Sequence, residues 1–206
     1  MFSWIWKKRD KEAPVDWAIF GLGNPGDGYA RTRHNMGYMT LDVLGREEDI
    51  SFSQKKFDAR VGRGTLSGCG VLLVKPETYM NRSGIAVARF VHFYRLDMER
   101  VIVVHDDLDL PPGDVRVKSG GGTAGHKGLD SIVRETGHAD FVRVRIGIGR
   151  PEGRTAVERY VLERFSEEEM PVAASAAERA AGAVREVVSS GPGRAMNRVN
   201  VRPQKI

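Results

Sequence analysis

A chain of 206 residues, 41% hydrophobic and 29% charged, is long enough for one domain with a sizeable core, and this composition is ordinary for a soluble protein. Its single cysteine, Cys69, excludes a disulfide framework within the chain and favours a reducing compartment. The formal net charge of +5 favours an anionic partner.

The N-terminus does not have the order of a secretory signal. Met1–Trp6 is apolar and the charged stretch Lys7–Lys11 follows it, whereas a signal begins with its basic residues and continues with a longer apolar run. We therefore expect residues 1–14 to be a variable N-terminal extension of a cytoplasmic protein without a membrane segment. Residues 15–206 contain no repeat, linker or change of composition, which predicts a single α/β domain there.

The domain opens with a strand, a polar loop and a helix. Val15–Phe20 is a short apolar run rich in β-forming residues, and Gly21–Gly37 (GLGNPGDGYARTRHNMG) follows it with glycines, a proline and two asparagines. Apolar residues at helical spacing then predict a helix from about His34 to Arg46, with Thr32 as its cap.

Further elements follow from the same periodicities. The continuous β-branched run Val101–Val104 indicates a strand buried on both faces. Other expected strands cover Phe57–Thr65, Gly70–Lys75, Asp114–Lys118 and Phe141–Ile148. Expected helices cover a segment capped by Ser83, then His126–Arg134, Thr155–Phe165 and Ser166–Ser190, before a basic tail at Gly191–Ile206.

Three polar clusters follow predicted strands. They are Asn24, His34 and Asn35; Tyr79, Asn81 and Ser83; and His105, Asp106, Asp107 and Asp109. Because C-terminal strand ends meet at one edge of a sheet, where open α/β sheets bind ligands, we expect these clusters to lie together. His34 beside an acid of the third cluster would form a general base held by a carboxylate. The sequence has no G-x-S-x-G elbow, so water is the expected nucleophile.

Other interpretations of these residues stay open. Gly21–Gly26 fits the dinucleotide pattern G-x-G-x-x-G, but that pattern needs a helix opening on the turn, and Asn24–Gly28 is turn chemistry. His34 could instead cap or pack a helix. The three aspartates could bind a divalent metal, although no matching Glu/His cluster accompanies them, and at least one of Asp107 and Asp109 is expected in a solvated turn.

Basic residues alternate with apolar ones on two expected strands. Arg116 and Lys118 lie on the first strand, and Arg143 and Arg145 lie on the second. Each alone is typical of a solvated strand face, but together with the glycine-rich loop Ser119–Gly125 they indicate a phosphate track. Few aromatic residues are interleaved, which disfavours stacking on single-stranded bases.

Five ordered blocks resemble the bacterial-type peptidyl-tRNA hydrolases over roughly residues 16–200. The blocks are Gly21–Gly37, Lys75–Gly84 (KPETYMNRSG), His105–Gly113 (HDDLDLPPG), Arg116–Leu129 (RVKSGGGTAGHKGL) and Phe141–Pro151 (FVRVRIGIGRP). The resemblance implies a monomeric α/β globule with a twisted mixed sheet flanked by helices. It also implies an esterase without metal or cofactor, which cuts the bond between peptide and terminal ribose in prematurely released peptidyl-tRNA.

The resemblance also implies roles for individual residues. His34 corresponds to the catalytic base and Asp106 to its acidic partner. The implied substrate-binding residues are Asn24, Tyr29, Tyr79, Asn81 and Lys127, and the implied tRNA-binding residues are Arg116, Lys118 and Arg145. Lys127 departs from the pattern, because many relatives have asparagine there and lysine can only donate hydrogen bonds. Whether Lys127 serves the substrate or points to solvent at the start of its helix stays open.

Two functions of other classes remain as alternatives. One is a catalytically inactive RNA-binding protein of the same fold, which the presence of both His34 and Asp106 disfavours. The other is a metal-dependent phosphatase that uses the aspartate cluster. A hydrolysis assay with and without chelator separates both from the esterase.

Overall fold

The computed structural model describes residues 14–151, 153 and 156–201, so the expected N-terminal extension lies outside the described residues except for Pro14. The strands are β1 Trp17–Gly21, β2 Gln54–Lys56, β3 Ala59–Leu66, β4 Cys69–Pro76, β5 Val101–Asp107, β6 Val115–Ser119 and β7 Val142–Gly147. All seven form one sheet in the order β2-β3-β4-β1-β5-β7-β6.

The sheet is mixed. Strand β1 is parallel to β4 and β5, and β7 is parallel to β5, whereas β3 is antiparallel to β2 and β4 and β6 is antiparallel to β7. The parallel strands therefore end at one edge, where the loop after β1 and the last residues of β5 lie side by side. The apolar run Val101–Val104 is buried on both faces, as predicted, and the strand continues through His105, Asp106 and Asp107.

Helices cover both faces of the sheet and confirm the predicted α/β class. They are α1 Met36–Glu47, α2 Ser83–Tyr94, α3 Lys127–Thr136, α4 Val157–Leu162, α5 Met170–Ser190 and α6 Pro192–Val199. Helices α1, α5 and α6 bury one apolar cluster, which includes Ile19 and Val184, and α2 and α3 bury the other, which includes Phe20 and Phe90. Because α5 buries mainly alanines, a helix of 21 residues forms readily and packs closely against its neighbours.

Two expected helix caps are wrong. Thr32 Oγ1 donates to the Tyr29 carbonyl at 3.0 Å, and Ser83, the first residue of α2, donates its hydroxyl to the Met80 carbonyl at 3.0 Å. Neither side chain bonds a helix amide. The reason is that 3₁₀ turns at Arg33–Asn35 and Met80–Arg82 precede α1 and α2, so each hydroxyl turns back to the loop before its helix.

The chain beyond α5 is partly helical, where the sequence predicted only a basic tail. Asn200, which follows α6, accepts from the Val117 N–H through Oδ1 at 2.8 Å and donates to the Val117 carbonyl through Nδ2 at 2.9 Å. Its amide thus pairs with the edge strand β6 as another strand would. The tail residues Arg202 and Lys205 lie outside the described residues.

Some element boundaries also differ from prediction. The two expected helices near residues 155 and 166 begin later, at Val157 and Met170, and Thr155 lies outside the described residues. The short strand β2 was not predicted, because Gln54–Lys56 has no apolar alternation and is almost fully exposed. None of the helices in the described ranges is long and apolar enough to cross a membrane.

Candidate active site

Two glycines allow the end of β1 and the start of α1 to approach each other closely on either side of the loop after β1. A Cβ on Gly21 would lie 2.4 Å from the Gly37 carbonyl oxygen, and a Cβ on Gly37 would lie 2.3 Å from the Leu22 nitrogen, so neither position accommodates a side chain. Helix α1 begins at Met36 rather than on the turn after Gly26. The loop therefore lacks the helix that a dinucleotide pyrophosphate needs, as predicted.

Inside this loop, Asn35 fixes Asn24. Asn35 donates through Nδ2 to the Asn24 carbonyl at 3.0 Å and accepts from the Asn24 N–H through Oδ1 at 2.9 Å. Asn24 in turn accepts from the Met80 N–H through Oδ1 at 2.9 Å, which ties the first polar cluster to the second. The Asn24 Nδ2 group has no hydrogen-bond partner among the described residues, and Asn24 lines the cleft described below.

His34 and Asp106 form a buried pair, as predicted. The His34 Nδ1 atom lies 2.9 Å and 3.0 Å from the two carboxylate oxygens of Asp106, and both residues are buried. A carboxylate only accepts, so this contact places the ring proton on Nδ1. The other ring nitrogen, Nε2, has no hydrogen-bond partner among the described residues, and His34 lines the cleft described below.

His126 completes the surroundings of Asp106, and sequence reasoning did not find this role. Its Nε2 lies 3.1 Å from Asp106 Oδ1, while its Nδ1 accepts from the amides of Gly128 at 3.1 Å and Leu129 at 3.3 Å. Because Nδ1 accepts, the ring proton is on Nε2 and is donated to Asp106. The ring therefore caps α3 and holds the carboxylate. The available signal was its place between a glycine-rich loop and a predicted helix.

The same neighbours control the charge of the carboxylate. Burial raises the pKa of Asp106, but His34 and His126 outweigh that effect through charge and hydrogen bonds and hold this pKa well below its usual range. His105, which precedes it, is fully buried, and burial together with the neighbouring His126 lowers the pKa of His105 to about 3. Asp106 is therefore an anion and His105 a neutral ring at physiological pH.

A cleft of about 590 Å³ opens over this pair. Predicted site residues along it are Asn24, Tyr29, His34, Tyr79, Asn81, Asp106, Lys118, Lys127 and Arg145. The wall includes apolar side chains such as Met80, Leu129 and Val161. Tyr79 is exposed in the cleft, with 60% of its surface accessible, so its ring can cover a bound group.

The basic residues occupy one face of the sheet. Arg116 is paired with Arg145 across β6 and β7, and Lys118 is paired with Arg143, so all four side chains share this face. Lys118 and Arg145 line the cleft, and Arg145 Nε donates to Asp107 Oδ2 at 2.7 Å.

The other two arginines bond within the protein. Arg143 is 2% exposed and donates to the carbonyls of Gly121 and Gly122, the latter at 2.5 Å. Arg116 is absent from the cleft lining and donates to the Asn200 carbonyl and to Asp114, the latter at 3.4 Å. Of the four cations expected to form a phosphate track, Lys118, Arg143 and Arg145 therefore line the cleft. Arg143 is bonded to the loop carbonyls and Arg145 to Asp107, so Lys118 is the one of these three without a hydrogen-bond partner among the described residues.

The aspartates are separated by their partners. Asp106 bonds the two histidines, Asp107 is buried against Arg145, and Asp109 lies in an exposed turn where Arg150 Nη2 contacts it at 2.6 Å. The predicted solvated turn is thus confirmed for Asp109. These three carboxylates do not converge as a di- or tricarboxylate metal site would.

A different set of atoms could share an ion. His34, Asp106 and His126 each offer a ligand atom, and these atoms lie within 4.8 Å of one another. A cation there would have to displace the two ring protons that Asp106 now accepts. The hydrogen bonds account for the closeness of the three groups without an ion.

Comparisons with known proteins identify one family. A family model described as peptidyl-tRNA hydrolase matches residues 18–206. The peptidyl-tRNA hydrolase of Bacillus pumilus is 50% identical over 77% of this chain and 85% of its own length, and that of Syntrophomonas wolfei is 46% identical over 88% and 98%. The crystal structure of peptidyl-tRNA hydrolase from Acinetobacter baumannii superposes with a TM-score of 0.84 at 39% identity, covering 91% of this chain and 96% of the other.

Proposed function

The chain belongs to the peptidyl-tRNA hydrolase family, and on that basis we propose that it hydrolyses the ester between the peptide and the terminal ribose of peptidyl-tRNA. The observation that carries the mechanism is the buried His34–Asp106 pair in the cleft lining, in which Asp106 binds Nδ1 of His34 and leaves the Nε2 atom for the substrate side. The domain that does this work is taken as residues 15–206, acting as a cytoplasmic monomer.

The reaction follows from this pair. His34 Nε2 removes a proton from a water molecule as that water attacks the ester carbonyl. Asp106 stabilises the imidazolium that forms and holds the ring by its Nδ1–H. When the tetrahedral intermediate collapses, His34 returns the proton to the ribose oxygen, so the products are a peptide with a free carboxyl group and a tRNA with its hydroxyl group restored.

Side chains around the cleft complete the site. The Asn24 side-chain amide is fixed because its Oδ1 accepts from the Met80 N–H. Its Nδ2 group can then donate to the carbonyl oxygen of the ester as negative charge develops there. Asn81, Tyr29 and Tyr79 line the same cleft and are proposed to hold the peptide and the terminal nucleotide. His126 is proposed as a positioning residue, because it holds Asp106 without facing the substrate as a base.

The acceptor end is proposed to extend over the basic face. Lys118 and Arg145 lie at the cleft and can contact phosphates without reading sequence. Arg116 is proposed to support this surface, since its guanidinium holds the chain after α6 against β6. No cofactor enters this mechanism.

The test is hydrolysis of two substrates by the purified protein. N-acetyl-aminoacyl-tRNA should be cleaved to N-acetyl-amino acid and tRNA, and free aminoacyl-tRNA should be cleaved much more slowly. Protein dialysed against chelator should retain its turnover. Binding of tRNA without hydrolysis would favour the inactive RNA-binding alternative, and loss of turnover on dialysis, restored by a divalent ion, would favour metal chemistry at the histidine cluster.

A further inference from the structure

An ion pair in the lining of the cleft joins α3 to α4. Lys127 begins α3, Glu158 lies in α4, and both line the cleft. Lys127 Nζ donates to Glu158 Oε1 at 2.6 Å, and the two side chains are 56% and 75% exposed. The bond lowers the pKa of Glu158, so its carboxyl group is an anion at neutral pH. Lys127 is therefore paired with an anion of the protein itself, Glu158.

The two ends of α4 are held differently. Beyond its last turn, the Arg33 N–H donates to the Glu163 carbonyl at 3.3 Å and the Phe165 N–H donates to the Arg31 carbonyl at 2.9 Å. Its first turn, with Val157 and Glu158, is exposed at the cleft. Breaking the Lys127–Glu158 contact therefore leaves the anchored end of α4 in place.

Lys127 also lies close to the reacting centre. The residue before it, His126, contacts Asp106 at 3.1 Å, and Asp106 contacts His34. The substrate carries a phosphate on the same nucleotide whose ribose forms the scissile ester. With that ester at His34, the flexible side chain of Lys127 is placed to reach this phosphate. An exposed carboxylate holds a lysine only weakly, so a phosphate in the cleft can replace it.

We propose that Glu158 and the substrate phosphate compete for Lys127, so that Glu158 lowers the affinity of the site for its substrate. This inference rests on the proposed function and deepens it, since it concerns recognition of the terminal nucleotide. Lys127 exchanges one anion for another on binding, and Glu158 is then released to solvent.

The proposal predicts opposite effects for the two partners. Glu158→Gln should lower KM for N-acetyl-aminoacyl-tRNA about two- to fivefold with little change in kcat, because Lys127 is freed. Lys127→Gln should raise KM, and adding Glu158→Gln to that variant should change nothing further. The matched control is Arg159→Gln in the same helix, which breaks the exposed pair with Glu163, the residue after α4, outside the cleft, and should leave KM unchanged.

Salt dependence distinguishes a substrate contact from a structural tie. Lys127→Gln should flatten the plot of log binding constant against log salt by about 0.7, one single-strand phosphate contact. If both single variants raise KM alike and leave that slope unchanged, the pair only holds α4 and the proposal is wrong. An unchanged KM in Glu158→Gln also overturns it. Wild-type turnover tests the proposed function separately, and dissociation constants replace KM in this comparison if turnover is absent.

Discussion

The cluster around Asp106 and the basic face of β6 and β7 both contribute polar side chains to the cleft, but they differ in where their partners lie. Around Asp106 the N–H groups of His34 and His126 are bound within the protein, and the Nε2 atom of His34 faces the cleft. On the basic face, Arg143 bonds loop carbonyls, whereas Lys118 has no partner among the described residues. Residue type alone therefore does not show which side chain is available to a ligand, because each region contains side chains that bond within the protein and side chains that do not.

This difference has a physical cause. A buried charge or ring must satisfy its hydrogen bonds inside the protein, because an unpaired polar group there costs about 1–3 kcal/mol. Asp106 meets that requirement with two histidine donors and becomes a fixed anion. An exposed lysine meets it with water and can exchange water for phosphate. Substitutions in the two regions should therefore affect different quantities: turnover in the first, and affinity or stability in the second.

The largest effect is expected for His34, the proposed base. His34→Ala should reduce kcat by about 10²–10⁴-fold, because general-base catalysis is lost, while the affinity for tRNA changes little. Steady-state hydrolysis of N-acetyl-aminoacyl-tRNA measures the first quantity and equilibrium tRNA binding the second. His92→Ala, an exposed histidine of α2, is the matched control. A folded His34→Ala protein with more than about a tenth of wild-type turnover would exclude His34 as the base.

A smaller loss of turnover is expected when the carboxylate loses its charge. Asp106→Asn keeps the shape but offers one acceptor oxygen where two ring N–H groups now bind. We expect kcat to fall by about 10²-fold, at the low end of a general-base effect, since the imidazole survives with weaker support. The same kinetic assay, with exposed Asp97→Asn as control, measures this loss. Turnover equal to wild type would move the search for the orienting acid to Asp107.

The buried ring of His105 should be visible in stability rather than in turnover. Its pKa is lowered to about 3 in the folded protein, whereas the unfolded chain takes up the proton near 6.5. Between these values the unfolded state binds more protons, so this contribution to the free energy of unfolding rises with pH and is complete above about 6.5. The free energy of unfolding then rises by at most about 1.4 kcal/mol per pH unit, the slope for one proton bound by the unfolded state alone.

Urea unfolding from pH 4 to pH 8 checks this window. His105→Asn, whose amide can replace the Nδ1–H donor toward the Asp106 carbonyl at 2.7 Å, should lose that slope. His92→Asn should keep it, because His92 is exposed in both states. Parallel pH profiles for wild type and His105→Asn would show that His105 has the same pKa in the folded and the unfolded protein, and the burial argument would then be wrong.

Sequence reasoning reached the His34–Asp106 pair because local signals and sheet topology point to the same place. The apolar run before His105 predicts a buried strand, and parallel strand ends meet at one edge whatever the loops do. His126 was missed as a partner of Asp106 because its contact depends on how a glycine-rich loop folds back over the sheet. In that loop Gly120, Gly121 and Gly125 have positive φ, which periodicity does not predict.

The partners of the strand cations and of the expected helix caps could not be predicted from the sequence either. Arg143 and Lys118 are both alternating strand positions, and only the three-dimensional path of residues 119–125 decides that Arg143 is covered while Lys118 is not. Thr32 and Ser83 are residue types that often cap helices. The 3₁₀ turns that precede α1 and α2 direct their hydroxyls to the carbonyls of Tyr29 and Met80 instead. Element type thus follows from sequence pattern, whereas the partner of a polar side chain follows from tertiary contacts.

The smallest effect is expected for Lys118, and it gives the sharpest contrast within one cross-strand pair. Lys118→Ala should raise KM a few-fold, leave kcat and the free energy of unfolding nearly unchanged, and flatten the salt dependence of binding by about 0.7–0.9, one phosphate contact. Arg143→Ala, directly opposite, should instead lower the free energy of unfolding by about 1–3 kcal/mol with an unchanged salt slope, because the buried guanidinium that binds the loop carbonyls is lost. Urea unfolding and binding titrations at several salt concentrations measure both quantities on the same preparations. An unchanged slope in Lys118→Ala would make this lysine an ordinary solvated strand residue, and a flattened slope in Arg143→Ala would show that burial does not keep its charge from the tRNA.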